Sequence, residues 1–385
     1  MGKLCIYLPP FASDYSGVCS ALFDFDCLIA INDASCCTSH YVYYDEPRWG
    51  EKSRPTFSTQ LRSIDAILGN DDRVRDCVLQ AAREVDTQMI ALVGTPVPAI
   101  TGMDMDGIAC EIESRCGRVT LGFGTTGFAY YDHGVVLVGK ALIDRFAVEK
   151  LPVERDCLNI LGMTPLDFGA VGNDSDLCAA LSGAGHAVNA CLFTGSSPEE
   201  VSRLSRAGLN LAVSSAGVSL ARRLLDTFGT PYVPAFPMGL RHFRALSAFL
   251  AGEKDVFPPV EEEGGRILIV SDQVMGNSLR SALRLAGCRN PVSVASFFGW
   301  DPELAMPGDF HVSSERQLIE RLRSGEFSYG ICDPLVAAVP EVSGLVHFDL
   351  VHPAVSGRMY ASEVSRYLDE RFDHWLDEVT AATRS

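Results

Sequence analysis

The chain has 385 residues, which is enough for two or three domains, and 47% of them are apolar, as in globular proteins with a sizeable core. Its 32 basic and 49 acidic side chains give a formal net charge of −17, which argues against nucleic acid or an anionic membrane surface as the main partner. No uninterrupted run of about 18 apolar residues occurs, so we expect no membrane span.

The 13 cysteines come without a recognisable signal peptide, because prolines interrupt the apolar start of the chain. This combination predicts a protein of the reducing cytoplasm. The odd number of cysteines argues against a complete disulfide framework, and no CxxC pair is present for a zinc-ribbon or thioredoxin-like site.

Strand-like and helix-like segments alternate along almost the whole chain. Short β-rich runs predict strands at residues 27–32, 89–94, 118–123, 157–162, 187–193, 209–214, 232–235, 266–271, 292–297, 329–332 and 345–350. Apolar residues at helical spacing predict helices between them, among others at 71–85, 198–207, 217–228, 277–286 and 314–324. Since the strands are nearly continuous apolar runs separated by helices, we expect parallel sheets covered by helices on both faces.

Two changes in composition divide this α/β pattern. Residues 151–155 contain a proline, and residues 253–265 contain two prolines, three consecutive glutamates and a Gly-Gly pair. We therefore predict three Rossmann-like units, at residues 1–150, 151–252 and 253–385, the last of which ends in a long helix.

The most informative loop is expected after the first strand, because ligands of open α/β sheets bind at the carboxyl ends of strands. Residues 32–40 form a small polar segment with two adjacent thiols, Cys36 and Cys37, followed by His40, Asp45 and Arg48. Thiolates at the end of a rigid strand suit a soft metal or an iron–sulfur cluster. The alternative is that both cysteines are small buried apolar residues, as free cysteines commonly are.

Other motifs favour structural interpretations. Residues 122–127 read GFGTTG and match GxGxxG, but residues 128–134 favour a loop where a dinucleotide site needs a helix, so we predict a glycine turn. Ser214 and Ser215 fit a tight strand–helix turn better than a nucleophile. Asp104 and Asp106 fit the N-terminus of a helix better than a cation site. P-loop, GxSxG and HExxH patterns are absent.

Residues 33–38 read Asp-Ala-Ser-Cys-Cys-Thr, and residues 59–70 read Thr-Gln-Leu-Arg-Ser-Ile-Asp-Ala-Ile-Leu-Gly-Asn. The first segment resembles the cluster-ligating strand-end loop of the nitrogenase component 1 family, which includes dark protochlorophyllide reductase and nitrogenase-like tetrapyrrole reductases. The second is similar to the family's Thr-x-Leu-x-Glu-x-Asp-x-Val-Phe-Gly-Gly signature, with Ser63 where glutamate is usual. Further similar segments follow in family order, at residues 94–104, 209–215, 265–271 and 352–360. The resemblance implies a three-domain α/β fold.

The departures from the family pattern limit the cofactors. Cys37 matches a ligand position, with Cys36 as an added thiol, but Thr95 stands where the third cluster cysteine is expected. Ser214 replaces the cofactor cysteine, and Tyr360 falls near the cofactor histidine. The resemblance therefore implies no iron–molybdenum type cofactor and no dinitrogen reduction.

What remains by resemblance is a [4Fe–4S] cluster between this chain and a second copy or a paired homologous subunit. Cys37 is the first expected ligand, with Cys36 beside it. Because adjacent residues of a strand point to opposite faces, Cys19 or Cys5 is a reasonable substitute for Cys36.

Two functions follow from the resemblance. In the first, the chain is the catalytic component of a nitrogenase-like reductase of anaerobic metabolism, with electrons supplied by a separate ATP-dependent iron–sulfur reductase protein. His40, Asp45 and Arg48 then position substrate or donate protons. The residues expected around the cofactor or substrate are Thr95, Ser214, His352 and Tyr360. In the second, the chain is a non-catalytic carrier or assembly scaffold for a metallocofactor or tetrapyrrole.

Overall fold

The computed structural model of the protein describes residues 5–257 and 259–384. These residues form three separate parallel sheets flanked by helices, which confirms the predicted α/β fold class. Pro258, in the predicted linker, lies outside the described residues. None of the helices in the described ranges is both long and apolar enough to cross a membrane.

The first sheet contains four parallel strands, β1 (Cys27–Ile31), β2 (Thr56–Ser58), β3 (Met89–Val93) and β4 (Val119–Phe123), in the spatial order β2-β1-β3-β4. Strands β1 and β3 are buried along their whole length, as central parallel strands must be when helices cover both faces. The helices of this region are α1 (Asp14–Leu22), α2 (Cys36–His40), α3 (Ser63–Leu68), α4 (Asp71–Glu84), α5 (Pro96–Thr101), α6 (Met105–Cys116) and α7 (Tyr131–Phe146), with a π-helical turn at Tyr41–Asp45.

The second sheet has the order β6-β5-β7-β8, with β5 (Glu154–Leu161), β6 (Ala187–Cys191), β7 (Ala207–Ala212) and β8 (Tyr232–Pro234). Its helices are α8 (Pro165–Phe168), α9 (Asn173–Gly183), α10 (Pro198–Ser202), α11 (Ser215–Phe228) and α12 (Leu240–Leu250), with a 3₁₀ turn at Leu204–Arg206.

The third sheet has the order β11-β10-β9-β12-β13, with β9 (Arg266–Val270), β10 (Val292–Ser296), β11 (Phe310–His311), β12 (Phe327–Cys332) and β13 (Val346–Asp349). Its helices are α13 (Gln273–Leu285), α14 (Glu315–Leu322), α15 (Pro334–Ala337), α16 (Pro340–Ser343), α17 (Pro353–Ser356) and α18 (Glu370–Ala382), with 3₁₀ turns at Pro302–Leu304 and Gly357–Glu363. One apolar cluster joins residues of all three sheets, among them Ile29, Leu161 and Val270.

The structure differs from the predicted elements in several places. The short edge strands β2 and β11 were not predicted, because two or three residues carry too little pattern. Residues 128–134 were predicted as a loop, but α7 begins at Tyr131. The helix predicted at 198–207 ends at Ser202, because Ala207 already pairs with Glu154 as the first residue of a strand.

Helices α1 and α7 cross at two glycines, which explains the glycine within the first turn of α7. A Cβ atom on Gly17 would lie 1.9 Å from the carbonyl oxygen of Tyr131, and one on Gly134 would lie 1.9 Å from the carbonyl oxygen of Asp14. The two backbones can approach this closely only because neither residue has a side chain. Gly134, which favours a loop in the sequence, is therefore a packing residue of a helix.

We expect Gly17→Ala to lower the free energy of unfolding by roughly 1–3 kcal/mol or more, because the added methyl group forces α1 away from α7. Gly183→Ala is the matched control, since a Cβ atom there meets nothing within 4 Å and this helical position gains propensity. Urea unfolding of both variants measures the difference. Equal stability of the two would contradict the close crossing.

Candidate functional site

Two thiols and one carboxylate meet where β1 ends. One carboxylate oxygen of Asp33 and the Sγ atoms of Cys36 and Cys37 all lie within 4.8 Å of one another. Ser35 adopts φ +83°, in the left-handed region, and α2 begins directly after it. The predicted loop is thus a short helix, and the expectation that adjacent thiols diverge was wrong here, because it assumed the alternation of a strand.

Asp33 is the residue of this group that the sequence did not single out as a ligand. Its Oδ2 accepts a hydrogen bond from the Thr38 amide at 2.9 Å, and its Oδ1 accepts from the Thr38 hydroxyl at 2.9 Å and from the Ser58 hydroxyl at 2.6 Å. Asp33 therefore caps an amide that α2 cannot satisfy itself. It also fixes the first turn of α2 against the end of β2.

The ends of three strands are joined beneath the thiols. The Thr95 hydroxyl, after β3, donates to the Asn32 carbonyl at 2.7 Å, and the Thr59 hydroxyl, after β2, donates to Asn32 Oδ1 at 2.7 Å. Thr95 is only 1% exposed. Its hydroxyl, which was expected near a cofactor, is used as a donor inside this platform.

Burial controls the protonation of Cys37. Its thiol is half-buried, and desolvation, followed by the nearby Cys36 and Asp33, raises its pKa to about 12. A hydrogen bond between the Tyr15 hydroxyl and the thiol partly opposes this shift of the pKa. Cys37 accordingly holds a proton at neutral pH, which a bound metal must displace.

His40 and Asp45 form a pair beside the thiols. His40 Nε2 lies 3.4 Å from Asp45 Oδ1, and Asp45 Oδ2 accepts a hydrogen bond from the Ser16 hydroxyl at 2.6 Å. The His40 side chain is 37% exposed and that of Asp45 is 6% exposed. Burial raises the pKa of Asp45, and the opposing effects of His40 and Ser16 are smaller. The pair connects solvent to a buried carboxylate.

Arg48 is not available for substrate, which corrects the sequence-based prediction. Its Nε donates to Glu46 at 2.6 Å, one terminal nitrogen donates to Asp24 at 3.1 Å, and the other donates to the Ser20 carbonyl at 2.8 Å. The guanidinium also lies 4.3 Å from the centre of the Phe23 ring. These contacts hold the π-helical turn to α1.

The other two predicted ligands do not join the thiol group within the described part of the chain. Cys19 is 0% exposed in α1, and burial raises its pKa well above the ordinary value. Cys5 is exposed and lies near Tyr130. Neither residue belongs to the group around Asp33, and α1 buries Cys19 in the core.

Two of the residues expected around a cofactor, Ser214 and His352, pack against other protein groups where the three sheets meet. The Ser214 hydroxyl donates to the Gly162 carbonyl at 2.9 Å and accepts from the Gly217 amide at 3.2 Å, so it caps α11. His352 is 3% exposed and stacks on Phe298 with ring centres 5.0 Å apart. Neither ring nitrogen of His352 has a hydrogen-bond partner, and burial lowers its pKa to about 3.

Tyr360, the last predicted cofactor residue, is half-buried in the 3₁₀ turn at Gly357–Glu363, where its φ of −116° departs from helical geometry. This turn packs against the π-helical turn at Tyr41–Asp45. The structure therefore places Tyr360 in a segment that contacts the surroundings of the thiols.

Buried acids share the junction with His352. Asp167 accepts hydrogen bonds from the Tyr131 hydroxyl and, at 2.7 Å, from the Thr164 hydroxyl, and His352 Nε2 lies 3.8 Å from it. Burial, with Asp272 as a second cause, raises the pKa of Asp167 well above the ordinary value. The same two causes raise the pKa of Asp132 to about 6.

We expect Asp132→Asn to change the pH dependence of stability. Because the raised pKa means that the folded state binds this proton more tightly, the contribution to stability is present below about pH 4 and is lost as pH rises to about 6. This loss is at most about 3 kcal/mol at pH 7. Urea unfolding from pH 4 to pH 7 should show a shallower decline for Asp132→Asn than for the exposed control Asp226→Asn. Parallel curves for the two variants would contradict the raised pKa.

The GFGTTG loop already binds an internal carboxylate. Asp14 Oδ1 accepts from the Gly127 amide at 2.7 Å, and Asp14 Oδ2 accepts from the Thr126 amide at 2.9 Å. Gly127 has φ +74°. The amides that a dinucleotide phosphate needs are thus occupied, in agreement with a glycine turn.

The family of nitrogenase component 1 type oxidoreductases matches residues 13–298 of this chain. A light-independent protochlorophyllide reductase subunit from Synechococcus elongatus is 39% identical over 182 residues, which cover 45% of this chain and 36% of that protein. The nitrogenase iron-molybdenum cofactor biosynthesis protein NifE from Clostridium pasteurianum is 28% identical over 187 residues, 47% of this chain and 39% of that protein. The chain thus spans little more than a third of the length of these curated relatives.

Among solved structures, Nitrogenase Cp1 at pH 6.5 superposes with a TM-score of 0.72 and covers 99% of this chain and 94% of its own, at 11% identity. A second structure, Nitrogenase Cp1 at pH 5, gives a TM-score of 0.68 at 13% identity and covers 99% of this chain and 89% of its own. At these identities the likeness shows a shared fold.

Proposed function

Because this chain belongs to the nitrogenase component 1 type oxidoreductase family, we propose that it is the cluster-holding catalytic subunit of a nitrogenase-like reductase. The substrate in this proposal is a small molecule or a tetrapyrrole, and a separate ATP-dependent iron–sulfur reductase protein supplies the electrons. The likeness to a protochlorophyllide reductase subunit supports a tetrapyrrole.

The group of Asp33, Cys36 and Cys37 is the observation that carries the proposal. Two thiolates and a carboxylate are a donor set that suits iron, and the three donor atoms already lie within 4.8 Å of one another. A [4Fe–4S] cluster takes four ligands, so the donors of one chain fit a site completed by a second copy or a paired homologous subunit. When bound, such a cluster supplies one-electron transfer.

The surface around the thiols supports a paired subunit. Several large apolar side chains are exposed on the elements next to α2, namely Tyr43 at 67%, Tyr44 at 62%, Val97 at 41%, Ile100 at 75% and Phe128 at 67%. The turn before Phe128 lies between α5 and the thiols. Gly127 in this turn packs against Pro96 of α5 and against Tyr15, whose hydroxyl lies near the Cys37 thiol. Large exposed apolar side chains on neighbouring elements are a feature of protein interfaces.

The remaining residues of the site act on protons in this proposal. The Tyr15 hydroxyl lies near the Cys37 thiol and lowers its pKa. The His40 side chain is 37% exposed and its Nε2 lies 3.4 Å from Asp45 Oδ1, so in this proposal a proton taken up from solvent by His40 passes to the buried carboxylate of Asp45. Arg48 acts only by positioning the turn that holds Asp45.

One observation favours the second function, a non-catalytic carrier or assembly scaffold. The junction of the three sheets is filled by the stacked rings of Phe298 and His352, and the Tyr131 ring lies edge-on 5.0 Å from Phe298. A substrate at this junction requires those rings to move. Turnover with a cognate ATP-dependent reductase separates the two functions.

Iron and acid-labile sulfide content, with an electron paramagnetic resonance spectrum, tests the proposal on protein purified without oxygen. We expect about four irons per pair of subunits, as one cubane cluster requires, and a signal that appears on reduction. Absence of iron after anaerobic reconstitution with the partner present would overturn the cluster role of this chain.

A further inference from the structure

The segment at residues 5–12, which we call the strap, lies outside the helices and strands and is bound to α14 by one carboxylate. Glu315, the first residue of α14, is 2% exposed and accepts hydrogen bonds from three consecutive amides. The distances are 3.0 Å from the Ile6 nitrogen, 2.9 Å from that of Tyr7 and 2.7 Å from that of Leu8. Ile6 and Tyr7 are 73% and 51% exposed, so the carboxylate does more than their side chains to hold this end of the strap.

The other end of the strap packs on the aromatic residues that follow β10. The Ala12 amide donates a hydrogen bond to the Ala354 carbonyl of α17 at 2.8 Å. One residue earlier, the Phe11 ring meets the Phe297 ring edge-on, with ring centres 5.2 Å apart, and its centre lies 6.0 Å from that of Phe298. The strap therefore crosses from α14 to α17 and covers this pair of rings.

The Phe298 ring in turn covers the imidazole of His352. The two rings are 26° from parallel, and their centres lie 5.0 Å apart. Neither imidazole nitrogen has a hydrogen-bond partner among the residues that the structure describes, although Asp167 Oδ1 lies 3.8 Å from Nε2. Because a buried polar group without a partner costs free energy, such an imidazole indicates a site whose partner is a ligand.

We propose that the strap is a cover that opens to admit the substrate to His352, and that Glu315 is its latch. The proposal rests on the proposed function for the nature of the substrate, whereas the movement itself needs no iron. When the three amides leave the carboxylate, the strap pivots at its Ala12 end. Phe11 then moves away from Phe298, and the Phe298 ring gains room to leave the imidazole.

The strap is suited to such a movement because few of its own groups hold it. Pro9 and Pro10, between the latch and the Ala12 end, have no amide hydrogen to donate. Its buried apolar side chains are those of Leu8, Phe11 and Ala12. Segments with few buried apolar contacts open locally at a lower free energy than the whole domain unfolds.

Histidine modification by diethyl pyrocarbonate, followed by peptide mapping of the full chain, tests the proposal. The reagent modifies uncharged imidazoles, and burial lowers the pKa of His352 to about 3 and that of His242 to about 4, so both are uncharged at neutral pH. His242, which is 2% exposed in α12, reports unfolding of the chain as a whole. We expect Glu315→Gln to raise the modification rate of His352 about tenfold or more, because a charged acceptor becomes neutral, and to leave that of His242 unchanged. Glu320→Gln, at an exposed position of the same helix, should change neither rate.

A second pair of variants weakens the latch without altering a buried side chain. Ile6→Pro removes one of the three amide donors, whereas Ile6→Ala keeps it and shortens an exposed side chain. We expect only Ile6→Pro to raise the modification rate of His352. In the background Cys37→Ala the same differences should remain, so a failure of the cluster site and a failure of the strap are distinguishable.

Three results would overturn the proposal. In the first, His352 of the unchanged protein is modified as fast as the exposed His374. In the second, neither Glu315→Gln nor Ile6→Pro raises the rate at His352. In the third, the rate at His352 rises only together with the rate at His242, which would show unfolding of the chain in place of an opening strap.

Discussion

Cys37→Ala should abolish iron binding by the reconstituted protein. The thiol is one of three donors held within 4.8 Å, and neither Cys5 nor Cys19 belongs to the group that could replace it. We expect the visible absorbance of the cluster and the reduced paramagnetic signal to disappear together. Because the backbone of α2 is fixed through Asp33 and Thr38, the variant should keep its helical circular dichroism.

The control for this experiment is Cys77→Ala, which removes a thiol of similar exposure on α4. Its iron content should equal that of the unchanged protein. Asp33→Asn tests the carboxylate separately, since an amide oxygen can still cap α2 but is a weaker ligand for iron. If Cys37→Ala kept the visible absorbance and the reduced paramagnetic signal unchanged, the proposed cluster site would be wrong.

Arg48→Met should lower the free energy of unfolding by about 3–5 kcal/mol. The substitution leaves Glu46, whose side chain is 0% exposed, as a buried charge without its main partner. It also removes the contacts of the guanidinium with Asp24 and the Ser20 carbonyl. Denaturant midpoints measured at equal metal content give the difference.

A surface pair provides the comparison. Arg316 and Glu320 form an ion pair one turn apart with side chains that are 84% and 58% exposed, so Arg316→Met should change the denaturant midpoint little. The double variant Arg48→Met/Glu46→Gln should recover part of the lost stability, because no unpaired charge remains. A loss no greater for Arg48→Met than for Arg316→Met would show that Arg48 is free for another role.

The fold was predictable because each main strand can be recognised in the sequence as a short apolar run. Strands β1 and β3 are uninterrupted apolar runs, and the change from such runs to amphipathic helices such as α4 repeats along the chain. The start of α7 was missed because Gly134 belongs to a crossing with α1, a partner more than a hundred residues away in sequence. No local pattern distinguishes such a glycine from one in a turn.

The sequence predicted those parts of the candidate site that lie within one short segment, but not the contacts with residues on other elements. Cys36 lies close to Cys37, and His40 lies close to Asp45, because each pair belongs to one short segment after β1. Arg48 was assigned to substrate because it lies just downstream of the thiols, and no local pattern shows that its partners are Asp24 and the Ser20 carbonyl. Asp33 was missed as a ligand, although an acidic residue three positions before a cysteine at a helix start is a signal that could have found it.

The hydrogen bonds that join the ends of β1, β2 and β3 affect how the proposed cluster site on α2 is loaded with metal. Asn32 and Asp33 hold their partners through side chains of Thr59, Thr95 and Ser58, none of which is a thiol. Because these hydrogen bonds use no thiol, the polypeptide itself orders the cluster site of the proposed function, and loading that site costs little ordering entropy. Such a chain can accumulate as a folded apoprotein and receive its inorganic group afterwards from a carrier, which separates its synthesis in time from the supply of iron.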